Sequence, residues 1–432
     1  MNNIISSKGT SNRLVIDPQK IVVAFLAVLM LIVFIEPSNS VYCGPIMAAL
    51  FIYLFFSGYQ ELVAAIIIVA NDALGTIIAG ELSFQYLLFV LLVVKLLISW
   101  RFSANRRGAL FFVFMIFPSH LFIIEFINFK TYILAMIFLL AIFVLKLDSD
   151  SKVLQRFFAG IAFVVVIISI HAMLTGGVEF YEEDNTITRK GILGVGIGDA
   201  NFSAFVLNLG IICLLNFVSA KWYYKVACMI PILYAFVLTR SVSGFLALFL
   251  AICVMLLFNS KKSKGIVGVI VFFIIVICAY QLYGSLSKDL HIEIVDAFIE
   301  RLEEKLTFVQ AGDISNATTN RSEHATAYFN YIFNEQSAVK LLFGGNPIIV
   351  NSVSGSASHN TYLDILLQFG IVGLVPFVAY LIHRLAKTLK NSDDQYRRAK
   401  ITLKVLCMFF ALGLSIYADN VWSLWVAILF LI

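Results

Sequence analysis

Between Lys264 and Lys288 the chain carries no charged residue. That stretch is as long and as apolar as the roughly 20 residues a helix needs to cross a bilayer. Similar runs recur throughout the 432 residues, which are 61% hydrophobic and only 13% charged. A soluble domain carries about 25% charged residues. Backbone groups in lipid must bond internally, which leaves helices or closed barrels. The runs far exceed the ~10 alternating residues of a barrel strand. The expected fold class is therefore all-α, a polytopic membrane helix bundle forming one membrane domain over residues 1–432.

Apolar runs fall at 21–36, 44–57, 62–79, 82–100, 108–127, 130–147, 153–174, 200–218, 222–239, 241–258, 265–283, 361–383, 400–417 and 419–432. Several are short, so the expectation is about 12–14 transmembrane helices. Lys8, Arg13 and Lys20 precede the first run in the manner of a signal peptide. No small-residue cleavage site follows, and the run reads as a retained span. The six cysteines form neither a disulfide framework nor a metal-ligand cluster.

Charge sets the orientation. The N-terminal tail and the loops 101–107, 146–156, 219–225, 259–264 and 384–400 hold 20 of the 31 Lys and Arg residues. Short basic loops mark the cytoplasmic side, which places both termini in the cytoplasm. Two substantial loops then fall outside, at 175–198 and 284–360. Long loops in compact proteins are commonly functional. In the second loop Leu290, Ile294, Phe298, Leu302 and Leu306 stand four apart, the pattern of a helix with one apolar stripe. The segment 321–345 reads as a second helical stretch, ended by Gly344-Gly345.

Four residues on the outer side can meet an anion: Arg189, Arg240, Arg321 and His359. Each has a plain alternative. Arg189 can sit in a plain glycine-rich loop, Arg240 at a helix mouth can snorkel, Arg321 can be a solvated charge, and His359 can be a helix-end residue. Arginine suits phosphate because its planar fork makes two parallel hydrogen bonds. His359 and Asn360 precede a span, where unbonded amides and the helix dipole favour negative charge. His359, Leu363, Leu366, Gly370 and Gly373 follow helical spacing, so the glycines are expected to let a neighbouring span pack closely. A histidine there can take or give a proton near neutral pH. The outer carboxylates, including Glu179, Glu182, Glu183 and Asp184, lack metal-ligand spacing, so neither a metal nor another cofactor is expected. Asn71 and Asp72 lie mid-span, where polar groups are costly; Lys95 lies toward a cytoplasmic end, and His120 and Glu125 toward an outer one.

The pattern His359, Asn360, nine residues, Gly370, two residues, Gly373 resembles the O-antigen polymerase and ligase superfamily of bacterial envelope glycan assembly. Arg189, Gly191 and Asn201 are similar to that family's first outer segment. Asn320-Arg321 and Gly344-Gly345-Asn346 are similar to its large-loop landmarks. Where the family often shows Ser-Arg just inside a span, this chain has Ser241-Val242, with Arg240 before them. The resemblance implies a metal-independent glycosyltransferase of the bacterial inner membrane, active at the periplasmic face. Its donor would be an undecaprenyl-diphosphate-linked glycan. His359 would be catalytic, with Arg189, Arg240 and Arg321 binding diphosphate and Asn201, Asn360, Gly370 and Gly373 in support. Membrane lipids, a chain-length regulator and a flippase are the implied partners; nucleic acid is not. The expected activity is polymerisation of repeat units into a surface polysaccharide. A ligase acting on lipid A core would share the motif. A transporter of lipid-linked sugars is less favoured, because no internal repeat is visible.

Overall fold

The computed structural model describes residues 151–180, 189–192, 200–258, 262–286, 292–346, 349–391 and 394–414, with Ala65, Val69 and short pieces at 76–78 and 82–83. The expected spans at 21–36, 44–57, 108–127, 130–147 and 419–432 lie outside the described residues, as do all but short pieces of those at 62–79 and 82–100, and Asn71, Asp72, Lys95, His120 and Glu125. The described residues are mainly helical. Two short hairpins depart from an all-α fold: β1 (Thr76–Ile78) with β2 (Leu82–Ser83), and β3 (Val178–Phe180) with β4 (Arg189–Gly191). The second hairpin lies within the 175–198 loop, where local antiparallel pairing satisfies backbone groups between two helices.

From residue 151 onward the described apolar runs become helices where they were expected, whereas β1 and β2 fall inside the runs expected as spans at 62–79 and 82–100. α1 spans Ser151–Thr175, α2 Ala200–Phe217, α3 Trp222–Leu238, α4 Val242–Leu257 and α5 Lys262–Leu286. The long segment after α5 folds into α6 (Glu293–Gln310), the short α7 (Ile314–Ala317), α8 (Arg321–Asn330), a π-helical turn at Tyr331–Glu335 and α9 (Ala338–Phe343). α10 (Thr361–Lys390) and α11 (Arg397–Gly413) follow. Among the described residues four helices, at 151–175, 200–217, 264–285 and 361–390, are long and apolar enough to cross a membrane.

α2 is the centre of the described bundle, with nearly every side chain buried. Gly210 lets α1 approach it closely, since a Cβ there would collide with Val165. Phe158, Phe217 and Tyr396 stack in sequence, at 4.7 and 4.9 Å between centroids, and tie α1, α2 and the entry to α11 together. α5 is apolar on all sides and leaves Ile270, Phe273, Ile274 and Ile277 exposed, as a lipid-facing helix would.

α6 keeps only part of its expected stripe. Phe298 is buried against Phe245 of α4, with centroids 5.8 Å apart, but Leu306 is exposed. Arg301 and Lys305 are buried instead. Lys305 Nζ donates to the Asn316 carbonyl and to Thr319 Oγ1, and Arg301 pairs with Glu304 at 2.7 Å. The segment around α7 folds over α6 and supplies acceptors that a single-helix pattern does not anticipate.

α10 is not one straight helix. Gly370 has φ 65° and ψ −169°, which only glycine adopts readily, and the helix breaks there. Thr361 Oγ1 donates to the Leu414 carbonyl at 2.6 Å, while Lys404 Nζ donates to the Arg384 carbonyl at 3.0 Å. A straight helix would hold Thr361 and Arg384 about 35 Å apart, whereas Lys404 and Leu414 are separated by about 15 Å of α11. The first arm, 361–369, must therefore turn sharply toward α11. Only the second arm, from Ile371 to Lys390, keeps the length of a span.

Candidate functional site

Contacts between α2 and α11 fix which residues share an end of the bundle. The Phe205 and Phe410 rings pack 5.0 Å apart, near the start of α2 and the end of α11. At the opposite end Arg398 Nη2 donates to Asn216 Oδ1 at 3.3 Å, and Lys225 Nζ to the Leu215 carbonyl at 2.9 Å. The basic loops 219–225 and 384–400 therefore sit together. The start of α2, the start of α4, the hairpin β3–β4 and the end of α11 form the other end.

One group of expected residues gathers at the start of α2. The Ile192 amide, next to β4, donates to Ser203 Oγ at 3.2 Å, which brings the strand carrying Arg189 to the first turn of α2. Asn201 Oδ1 accepts from Ser241 Oγ at 2.6 Å and from Ser243 Oγ at 2.9 Å. Ser241 caps α4 by accepting from the Gly244 amide at 3.0 Å. Arg240 lies in the turn between α3 and α4 with φ 47°, a left-handed conformation unusual for a side-chain-bearing residue. The capped turn holds Arg240 outside the helix, so its position follows from the turn and not from a helical face.

A second group gathers at the end of α11. The last carbonyls of a helix lack partners within it. Here Leu412 accepts from Asn360 Nδ2 at 3.2 Å, Gly413 from Arg321 Nη1 at 3.0 Å, and Leu414 from Thr361 Oγ1. Arg321 opens α8 and Asn360 precedes α10, so both flanks of the long segment close on one helix terminus. A guanidinium has five donors, and the bond to Gly413 fixes its orientation at the terminus.

His359 also has positive φ, 53°. Ser358 is buried behind it, donates to Asp364 Oδ1 at 2.7 Å and accepts from the Asn360 amide at 3.0 Å. Ser356 Oγ lies 3.4 Å from His359 Nε2. Tyr328 donates to the Ser356 carbonyl at 2.5 Å and accepts from the Val350 amide at 2.8 Å, pinning the segment that delivers His359. Burial raises the Tyr328 phenol above its ordinary range, and the Asp364 charge adds to the shift.

Two expectations are corrected. The amides at the start of α10 are occupied, because Asn360 Oδ1 accepts from Tyr362 and Leu363 at 3.0 and 3.2 Å. Asp364, buried in the first turn, already places a carboxylate at the dipole's positive end. An anion at this place would meet side chains and not the helix terminus. Among the described residues, Gly370 and Gly373 do not admit a neighbouring span. A Cβ on Gly370 would strike the Leu342 carbonyl, and one on Gly373 would strike Phe369 of its own broken helix. The glycines make the break and seat the Leu342–Gly345 segment against it.

His324 was not singled out by sequence reasoning. Its ring lies 5.7 Å from that of His359, tilted by 52°. The signal was present in "RSEHATAY", where Arg321, His324 and Tyr328 stand three and four apart on one face of α8. That face makes all three contacts to the His359 segment and the α11 terminus. Among the described residues no three His, Cys, Asp or Glu side chains group as metal ligands.

No family model matches this chain, and no curated protein matches it.

Proposed function

We propose that the chain is an inner-membrane glycosyltransferase that polymerises undecaprenyl-diphosphate-linked repeat units into a surface polysaccharide. The observation that supports it best is the meeting of Arg321 and Asn360, the neighbour of His359, at the terminal carbonyls of α11. Asn201 and Arg240 stand at the same end of the bundle, as does the strand that carries Arg189.

In this reading the arginines hold the donor diphosphate and stabilise the charge that grows as the sugar leaves it. The His359 imidazole takes the proton of the acceptor hydroxyl. The end carrying the site faces the periplasm, the basic loops face the cytoplasm, and the segment 284–360 roofs the site.

Replacing His359 by Ala in the native host tests the reading. A polymerase defect leaves surface lipid capped with single repeat units. Long chains stranded on the carrier lipid would instead identify a ligase. Single units held at the cytoplasmic face would identify a flippase. Normal surface glycan would overturn the catalytic role of His359.

A further inference from the structure

Resting on the reading just given, we propose that His324 is a second imidazole of the site, placed on the diphosphate side of the bond that breaks. The two rings lie 5.7 Å apart, yet they come from elements that sequence does not join: His324 from the middle of α8 and His359 from the turn before α10. Each is half-buried, neither sealed in the core nor fully open to water.

Three constraints converge on this pair. Arg321 precedes His324 by one helical turn and is held by Gly413. Tyr328 follows by one turn and clamps the loop that carries His359. His359 is held at φ 53°, a left-handed conformation that side-chain-bearing residues rarely adopt. The fold maintains a disfavoured backbone at the residue whose ring faces His324, and strain of that kind gathers at functional sites.

The division of labour follows from position. His324 shares the face of α8 with Arg321, the proposed diphosphate ligand, so it stands on the leaving-group side. His359, fixed by Ser358 and Asn360, stands on the acceptor side. The acceptor O–H gives its proton to neutral His359 as its oxygen bonds to the anomeric carbon. The bond from that carbon to the diphosphate oxygen breaks, and the electron pair stays on the diphosphate. Protonated His324 hydrogen-bonds to that oxygen and transfers its proton there. Proton exchange with water then resets both rings.

The test uses the full chain in native-host membrane vesicles supplied with lipid-linked repeat units extracted from that host. Transfer is measured for the wild type, His324→Ala, His324→Gln, His324→Phe, His359→Ala and the double alanine variant. The single His324 variants are expected to slow transfer about 10²-fold or more. Groups that act as a unit are strongly non-additive, so the double variant should be little slower than the worse single one. His324→Phe keeps a packed ring and removes the proton; wild-type rates in that variant would overturn the proposal, as would losses that multiply in the double variant. If His324→Ala fails to accumulate, the Gln and Phe variants decide the question. No transfer by the wild-type protein would overturn the glycosyl-transfer reading itself, and this proposal with it.

Discussion

Gly344 and Gly370 meet backbone to backbone: a Cβ on Gly370 would fall 2.6 Å from the Gly344 amide nitrogen, and one on Gly344 would fall 2.5 Å from the Phe369 amide nitrogen. The Gly345 and Asn346 amides donate to the Gln368 and Leu367 carbonyls at 3.1 and 3.2 Å. The long segment thus caps the first arm of α10 at its break. Gly344→Ala and Gly370→Ala should each destabilise by about 2 kcal/mol or more, because overpacking adds to a glycine-only backbone conformation. Thermal unfolding in detergent measures this. Gly355→Ala is the control: its φ is also positive, at 67°, but nothing lies within 4 Å of the added methyl.

Asn360 joins two helix ends through one side chain. Its Oδ1 caps α10 and its Nδ2 reaches Leu412. Asn360→Ala should lose about 1 kcal/mol from the cap alone, and more from the exposed carbonyl. Asn360→Asp keeps the cap, loses the Leu412 bond and adds charge near Asp364. Unfolding temperatures should rank wild type above both variants.

Tyr328→Phe removes a donor and an acceptor at once. The Val350 amide and the Ser356 carbonyl would then lack that partner, at a cost of about 1–3 kcal/mol. The variant should also slow transfer by loosening the segment that carries His359. The raised phenol makes a separate alkaline prediction. A proton held more tightly in the folded state means full stability below the ordinary phenol range and loss as pH climbs through the raised value. Stability measured above about pH 10 should therefore fall less in Tyr328→Phe than in wild type.

Arg240→Gly separates stability from activity. Glycine adopts φ 47° without the steric cost that arginine bears there. The variant should hold or raise the unfolding temperature while transfer falls at least tenfold, the trade-off expected of a strained functional residue. A lower unfolding temperature with unchanged transfer would make Arg240 structural.

Much of the fold was legible because bilayer thickness and hydrophobicity act locally. The apolar runs at 153–174 and 200–218 became helices at 151–175 and 200–217. The motif residues Arg321 and His359 were legible as chemistry, since few side chains bind phosphate or shuttle protons. Long-range contact decided the rest. Arg321 finds its carbonyl 92 residues away on α11, and Lys305 is buried because the segment around α7 brings acceptors to it. The helical spacing through Gly370 and Gly373 suggested one continuous face, but the Leu342–Gly345 backbone breaks it. His324 came beside His359 only when α8 was set against the turn before α10. The sequence by itself determined the long apolar helices from residue 151 onward and which side chains could carry chemistry, because those follow from each residue's own solubility and functional group. Only the tertiary structure decided which of those groups meet, because meeting depends on partners far along the chain.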